Sequence, residues 1–131
     1  MTRLLLVGLG GMLGSCARYL VSGWLLDALG AEFPYGTLAV NLIGSFLIGI
    51  IMAIGLHTAI LGPGTRLTLT TGFLGGFTTY STFNYETVRL LQERAWLFGA
   101  LNIAVTLVGC LLAGWLGWAG TGWLLAGRHQ P

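Results

Sequence analysis

Residues 72–86 read GFLGGFTTYSTFNYE and put glycines, hydroxyls and aromatic rings where a membrane helix would be plainly apolar. A lipid-facing helix satisfies its own backbone hydrogen bonds, so irregular backbone at membrane depth is tolerated only beside protein or a water-filled path. Gly75 and Gly76 predict a break in this helix, and four hydroxyl residues follow: Thr78, Thr79, Ser81 and Thr82. The stretch is therefore a candidate conduction or binding element.

The composition indicates an integral membrane protein. Of 131 residues, 55% are hydrophobic and only 8% are charged, and the mean hydropathy is +0.82, which excludes the charged surface of a soluble domain. The six basic residues form no run, so nucleic acid is not an expected partner. No set of a nucleophile and a base is visible, which argues against an enzyme.

Hydropathy and helix-breaking residues divide the chain into four predicted spans of about 20 residues or more. They cover approximately residues 4–29, 36–57, 66–91 and 96–125, separated by short turns that contain glycine, proline or charge. We expect one four-helix transmembrane domain over residues 1–131, with the third helix broken.

The arginines do not fix an orientation in the membrane. The four predicted spans put Arg3, Arg66 and Arg128 toward one side and Arg18, Arg89 and Arg94 toward the other, which removes the asymmetry that normally sets topology. A chain that inserts both ways can pair with itself. We therefore expect a dual-topology, antiparallel homodimer.

Two polar stripes run along otherwise apolar helices. Thr37 and Asn41 lie one turn apart in the second span, where an amide must find partners or lose solvation. Asn102, Thr106 and Cys110 recur every four residues in the last span and share one face. Each stripe is either a polar track or ordinary bonding between and within helices.

Two aromatic residues follow the predicted break. Tyr80 and Phe83 lie three residues apart and can project on one side of the helix. The edge of an aromatic ring is positive, so such rings can stabilise a small anion without a formal positive charge. The alternative is aromatic packing within a helix bundle.

Three blocks of sequence resemble the Fluc/CrcB family of small fluoride channels. They are GGMLGSCARY (residues 10–19), GTLAVNLIGSFLIG (residues 36–49) and GFLGGFTTYSTFNYET (residues 72–87), which match the family's signature blocks in order and spacing. The resemblance spans essentially the whole chain, and the third block is the most specific.

The resemblance implies an antiparallel homodimer in the cytoplasmic membrane that conducts fluoride passively through two pores and lowers its concentration in the cell. Asn41 would donate its amide hydrogens to fluoride, and ring edges of Tyr80 and Phe83 would line the path. The hydroxyls of Thr79 and Ser81 would lie nearby. Arg18 would attract anions into an aqueous vestibule.

The resemblance also implies a sodium ion and a polar track. The backbone carbonyls of Gly75 and Thr78 would hold a structural sodium ion at the centre of the dimer, because a helix break frees such oxygens. The track on the last helix maps to Asn102, Thr106 and Cys110.

This chain departs from the family's pattern at three positions. Tyr80 stands where phenylalanine is common, and Cys110 and Gly114 stand where hydroxyl residues are common. The rival interpretation is a small multidrug transporter, which needs an acid within its first helix, whereas this helix reaches no acid until Asp27. One subunit of an obligate heterodimeric channel is a further alternative.

Overall fold

The structure is a computed structural model that describes residues 1–127, and these residues are helical with short connections. Three long helices, α1 (Thr2–Leu29), α2 (Tyr35–His57) and α6 (Trp96–Ala126), are each long and apolar enough to cross a membrane. An all-helical membrane protein is thus confirmed, and three of the four predicted spans are continuous helices. Arg128, which the topology argument used, lies outside the described residues.

The third predicted span is built from several pieces. It begins with α3 (Pro63–Leu67), continues as a π-helical segment (Thr68–Leu74) and ends in the short α4 (Gly75–Phe77), which two extended residues separate from α5 (Tyr80–Gln92). Helix α5 carries polar and aromatic residues and has lower mean hydropathy than the long helices. The predicted broken helix is present.

The break lies at Thr78 and Thr79, and the prediction that placed it at Gly75-Gly76 was wrong by three residues. Thr78 and Thr79 have extended backbones, with φ and ψ of −84° and 159° and of −153° and 114°, which β-branched residues adopt readily. Gly75 and Gly76 are helical; the backbone angles of Gly75 are −62° and −35°.

The glycines before the break serve close packing against α1. A Cβ atom at Gly76 would strike the Gly11 carbonyl, and one at Gly14 would strike the Phe73 carbonyl. Helix α1 packs on the π-helical segment and on α4 along this contact. The backbone of α1 is therefore in direct contact with the backbone of the third span, as is common where small residues line membrane helices.

Helix α2 lies between this pair and α6. It packs chiefly along α6, where a Cβ atom at Gly49 would strike the Gly114 carbonyl and one at Gly117 would strike the Phe46 carbonyl. On its other side, Gly44 leaves room for the Thr78 methyl group, which a Cβ atom at position 44 would strike. The break thus rests directly on α2.

Candidate ion pathway

The backbone at the break is held by one side chain of α2. The Asn41 amide nitrogen donates to the Thr79 carbonyl at 3.0 Å, and the Thr79 N–H donates to the Asn41 amide oxygen at 2.8 Å. Both residues are buried, so these bonds satisfy polar groups that would be costly to leave unpaired. The Asn41 amide has a second hydrogen beyond the one given to Thr79.

The Thr79 hydroxyl is the centre of a cluster at the start of α5. Its oxygen caps the helix by accepting from the Thr82 N–H at 3.2 Å. It also lies 3.0 Å from the Thr82 hydroxyl and 3.3 Å from the Ser81 hydroxyl, and either partner of each pair can donate. Three hydroxyls therefore meet at the break.

A groove of about 530 Å³ runs along the side of the break. It brings together six of the predicted pore residues, which come from α2, from the broken third span and from α6: Asn41, Thr79, Tyr80, Phe83, Thr106 and Cys110. The rings of Tyr80 and Phe83 are 5.5 Å apart and tilted by 52°. Phe83 is buried, whereas Tyr80 is 74% exposed.

A second, larger hollow of about 1010 Å³, here called the vestibule, opens beside the groove. Two predicted residues, Arg18 and Thr37, lie on its wall together with Thr82. Its charge is mixed, because two arginines and three acids line it: Arg18, Arg89, Asp27, Glu32 and Glu86. Among residues 1–127, Thr79 alone lines both the vestibule and the groove.

Two predicted site residues line neither hollow. Ser81 is exposed beside them. Asn102 is 1% exposed and donates to the Thr87 hydroxyl at 2.9 Å, which in turn donates to the Phe83 carbonyl at 2.7 Å. The Thr106 hydroxyl donates to the Asn102 amide oxygen at 3.4 Å. Asn102 thus links α5 to α6 behind the groove wall.

Comparisons with known proteins identify the family of this chain. Residues 5–118 match the family model described as CrcB-like protein, Camphor Resistance (CrcB). The chain belongs to the CrcB family. A relative from Sorangium cellulosum, named a fluoride-specific ion channel FluC, is 56% identical over 127 residues, which cover 97% of this chain and 100% of the relative.

Two further CrcB-family relatives carry the same name, fluoride-specific ion channel FluC. The protein from Anaeromyxobacter sp. is 53% identical over 113 residues, which cover 86% of this chain and 90% of the relative. The protein from Geotalea daltonii is 48% identical over 117 residues, which cover 89% and 94%. The similarity therefore extends along nearly the full length of both proteins.

In this CrcB-family chain the break also frees backbone carbonyls. In a continuous helix the Gly75 carbonyl would accept from the Thr79 N–H, and the Thr78 carbonyl from the Thr82 N–H. Here the Thr79 N–H donates to the Asn41 side chain instead, and the Thr82 N–H donates to the Thr79 hydroxyl oxygen. Gly75 and Thr78 are among the residues that line the groove, and carbonyl oxygens without their helical partners are ligands that suit a hard cation.

Sequence reasoning named Thr82 only as one hydroxyl of the stretch after the break, without a role of its own, and it gave no site role to Thr87. Thr82 could have been found, because it lies three residues after Thr79 and four before Glu86 and so shares a helix face with both. Thr87 could not, because its partner Asn102 is on another helix and the pairing depends on how α5 and α6 meet.

Proposed function

We propose that this chain is a fluoride-selective, passive ion channel that exports fluoride across the cytoplasmic membrane. The observation that carries the proposal is the groove, which gathers an amide, hydroxyls and two aromatic rings without a formal positive charge. The names of the CrcB-family relatives support fluoride as the ion.

Selectivity follows from replacing the water around a small, strongly hydrated ion. The second hydrogen of Asn41 and the ring edges of Tyr80 and Phe83 supply weak donors at successive points. A series of weak sites lets the ion enter and also leave. Chloride is larger and less strongly hydrated, so it gains less from a narrow row of such donors.

Entry is through the vestibule. Arg18 supplies a local positive charge there, in a wall whose formal charge is mixed because three acids accompany two arginines. The ion then passes Thr79, which borders both hollows, and moves into the groove. Nothing in this passage requires a catalysed reaction.

The functional unit is an antiparallel homodimer with two pores. In one chain the groove is open on the side where Tyr80 is exposed, and a second copy would close it against lipid. The even distribution of arginines between the two predicted sides favours insertion in both orientations. Each chain brings one groove, so the pair has two.

A sodium ion would join the two copies as a structural cofactor. The carbonyls of Gly75 and Thr78 fit this role because both have lost their helical hydrogen-bond donors. A second copy would add the same two oxygens. When bound, the ion would offset the partial negative charges of these carbonyl oxygens, and it would not be transported.

The alternative of a small multidrug transporter is weaker in this geometry. Asp27, the first acid of α1, is exposed near the end of that helix rather than buried among the spans, where a proton-coupled cation site would need it. An obligate heterodimer would share the groove described above and differ only in needing a sister chain.

The test is fluoride efflux from liposomes that contain the purified protein alone. A fluoride electrode follows the release, a potassium ionophore dissipates the charge, and chloride-loaded liposomes serve as the control. Rapid loss of fluoride without loss of chloride is the expected result. A folded dimer that releases no fluoride would refute a homomeric channel.

A further inference from the structure

The polar part of the groove continues past Asn41 along α2. Ser45 follows Asn41 by four residues, so the two lie on one helix face, about 6 Å apart along the axis. Both line the groove, and the next α2 residue that lines it is the apolar Ile48. Thr37, one turn before Asn41, lines the vestibule. Ser45 is therefore the last polar side chain that α2 brings to the groove in the direction away from the vestibule.

The threonine hydroxyls of the groove wall already use their hydrogens within the protein. Thr70 and Thr78 each donate to the carbonyl four residues earlier. Thr106 donates to the Asn102 amide oxygen, and the Thr79 hydroxyl belongs to the cluster at the start of α5. A hydroxyl carries one hydrogen, so a hydroxyl that donates within the protein has none left for an ion.

The Ser45 hydroxyl differs, because it makes no hydrogen bond within residues 1–127. The usual acceptor for a serine inside a helix is the carbonyl four residues earlier, and Ser45 does not use it although Thr70 and Thr78 do. Lipid offers no partner to a hydroxyl at membrane depth. A half-buried hydroxyl with an unused hydrogen is therefore suited to a groove that holds water or an ion.

Helix α6 offers no hydroxyl at the level of Ser45. The two helices are in close contact there, because a Cβ atom added at Gly114 would lie 3.3 Å from the Ser45 carbonyl, and glycine has no side chain to offer. One turn earlier, α6 brings Cys110 to the groove, and a thiol is a weak donor. Between these two helices, Ser45 is thus the strongest side-chain donor beyond Asn41.

We propose that Ser45 is a further ion-binding residue of the groove and donates its hydroxyl to the anion one helical turn beyond Asn41. The inference rests on the proposed channel function and adds a second binding point on α2. Without it, the next groove residue of α2 after Asn41 and Gly44 would be the apolar Ile48. Two donors about 6 Å apart let the ion leave one as it reaches the other, as conduction through a series of weak sites requires.

The test removes the Ser45 hydroxyl with little change in shape. Ser45→Ala lacks only the oxygen, and Ser45→Thr keeps the hydroxyl and adds a methyl group. Thr121→Val, in α6 and outside both hollows, loses a hydroxyl elsewhere and is the control. Each protein is reconstituted as a dimer verified by size-exclusion chromatography. Fluoride efflux per dimer is measured in liposomes, and the unfolding temperature is measured in detergent.

Ser45→Ala is expected to slow fluoride efflux by about tenfold or more, because hydrogen bonds to charged groups are strong. Its unfolding temperature should not fall, since the hydroxyl makes no bond within the described residues. Ser45→Thr and Thr121→Val should conduct within about threefold of the parent. Slower conduction without lower stability is the result that a purely structural serine would not give.

Several results would overturn the role of Ser45. A dimeric alanine variant that conducts within about threefold of the parent would do so, and so would a threonine variant as slow as the alanine one. A lower unfolding temperature or loss of the dimer in Ser45→Ala would make the hydroxyl structural and reject its role in binding. If the parent itself releases no fluoride, the channel function fails. If the parent conducts and the alanine variant equals it, the inference about Ser45 fails alone.

Discussion

Asn41 and Thr79 form a closed pair in which one side-chain amide satisfies both the N–H and the C=O of one backbone residue, at 2.8 and 3.0 Å. Extended backbone in the middle of a membrane segment would otherwise leave these groups unpaired. The same amide borders the groove. One residue therefore both stabilises the break and borders the groove, and in the proposed channel its second amide hydrogen is the donor to the ion.

Asn41→Asp is expected to abolish fluoride efflux. The carboxylate has no hydrogen to donate to the Thr79 carbonyl or to the ion, and its negative charge repels fluoride. The free energy of unfolding should also fall, by about 1–3 kcal/mol, because the Thr79 carbonyl loses its partner. Liposome efflux and thermal unfolding in detergent measure the two effects. Undiminished efflux from the aspartate variant would remove Asn41 from the pathway.

Tyr80→Ile is expected to reduce fluoride efflux strongly, because the groove loses a ring edge at its open side. Tyr80→Phe keeps the ring and should conduct, which would assign the tyrosine hydroxyl a minor part. Tyr85→Ile is a suitable control, since Tyr85 is also exposed in α5 and lines neither hollow. Equal efflux from the Tyr80 and Tyr85 isoleucine variants would argue against an aromatic wall.

Asn102 and Thr87 are expected to be coupled in stability. Removing either partner costs the other one buried hydrogen bond, although Thr87 still donates to the Phe83 carbonyl and Asn102 still accepts from Thr106. Asn102→Leu and Thr87→Val should therefore each lower the free energy of unfolding by about 1–3 kcal/mol. The double variant should cost less than the sum, with a coupling of about 0.5–3 kcal/mol. Thermal unfolding of the four proteins gives the cycle, and strictly additive losses would show that the bond contributes nothing.

Gly44→Ala is expected to disturb the break through the methyl group it adds. That group would strike the side-chain methyl of Thr78, and overpacking of this kind costs about 1–3 kcal/mol. Gly120→Ala is the control, because nothing lies within 4 Å of its added Cβ atom. A lower unfolding temperature and slower efflux should appear for position 44 alone. Equal unfolding temperatures and equal efflux rates for the two variants would mean that the packing around Gly44 has room for a methyl group.

Replacing sodium by N-methyl-D-glucamine is expected to weaken the dimer. The carbonyls of Gly75 and Thr78 from two chains would then face one another without a cation between them, and like-oriented dipoles repel. Cross-linking in liposomes at low protein density measures the fraction of dimer in each buffer. If the fraction of dimer is the same in both buffers, these carbonyls do not form a structural sodium site.

Much of the fold could be predicted because the length of each apolar segment and the helix-breaking residues at its ends determine the helix from local sequence. The spans at residues 4–29, 36–57 and 96–125 agree with α1, α2 and α6 to within about two residues at each end. The position of the break was missed because glycine was read for its backbone freedom. Gly76 is instead required by the approach of Gly11, a contact between helices that one segment of sequence does not contain.

The site was predictable where it depends on residue type and spacing. The polar and aromatic character of residues 78–83 placed Thr79, Tyr80 and Phe83 beside one another, and they line one groove. The predicted stripe of Asn102, Thr106 and Cys110 does not act as one surface. Thr106 and Cys110 line the groove, whereas Asn102 donates a hydrogen bond to Thr87. Helical periodicity predicts that residues share one face of a helix, but it does not predict which neighbouring residues each of them contacts.

The π-helical segment Thr68–Leu74 makes chain length itself a determinant of function. A π turn holds more residues than an α turn. The number of residues in this segment therefore sets how the rest of the third span is oriented relative to α1. Deleting one residue there would let an ordinary α turn form and would keep the flanking segments in nearly their present orientation, whereas inserting one would displace Gly76 from Gly11. Natural variation in the length of this stretch should therefore take the form of a single-residue loss and not of an insertion.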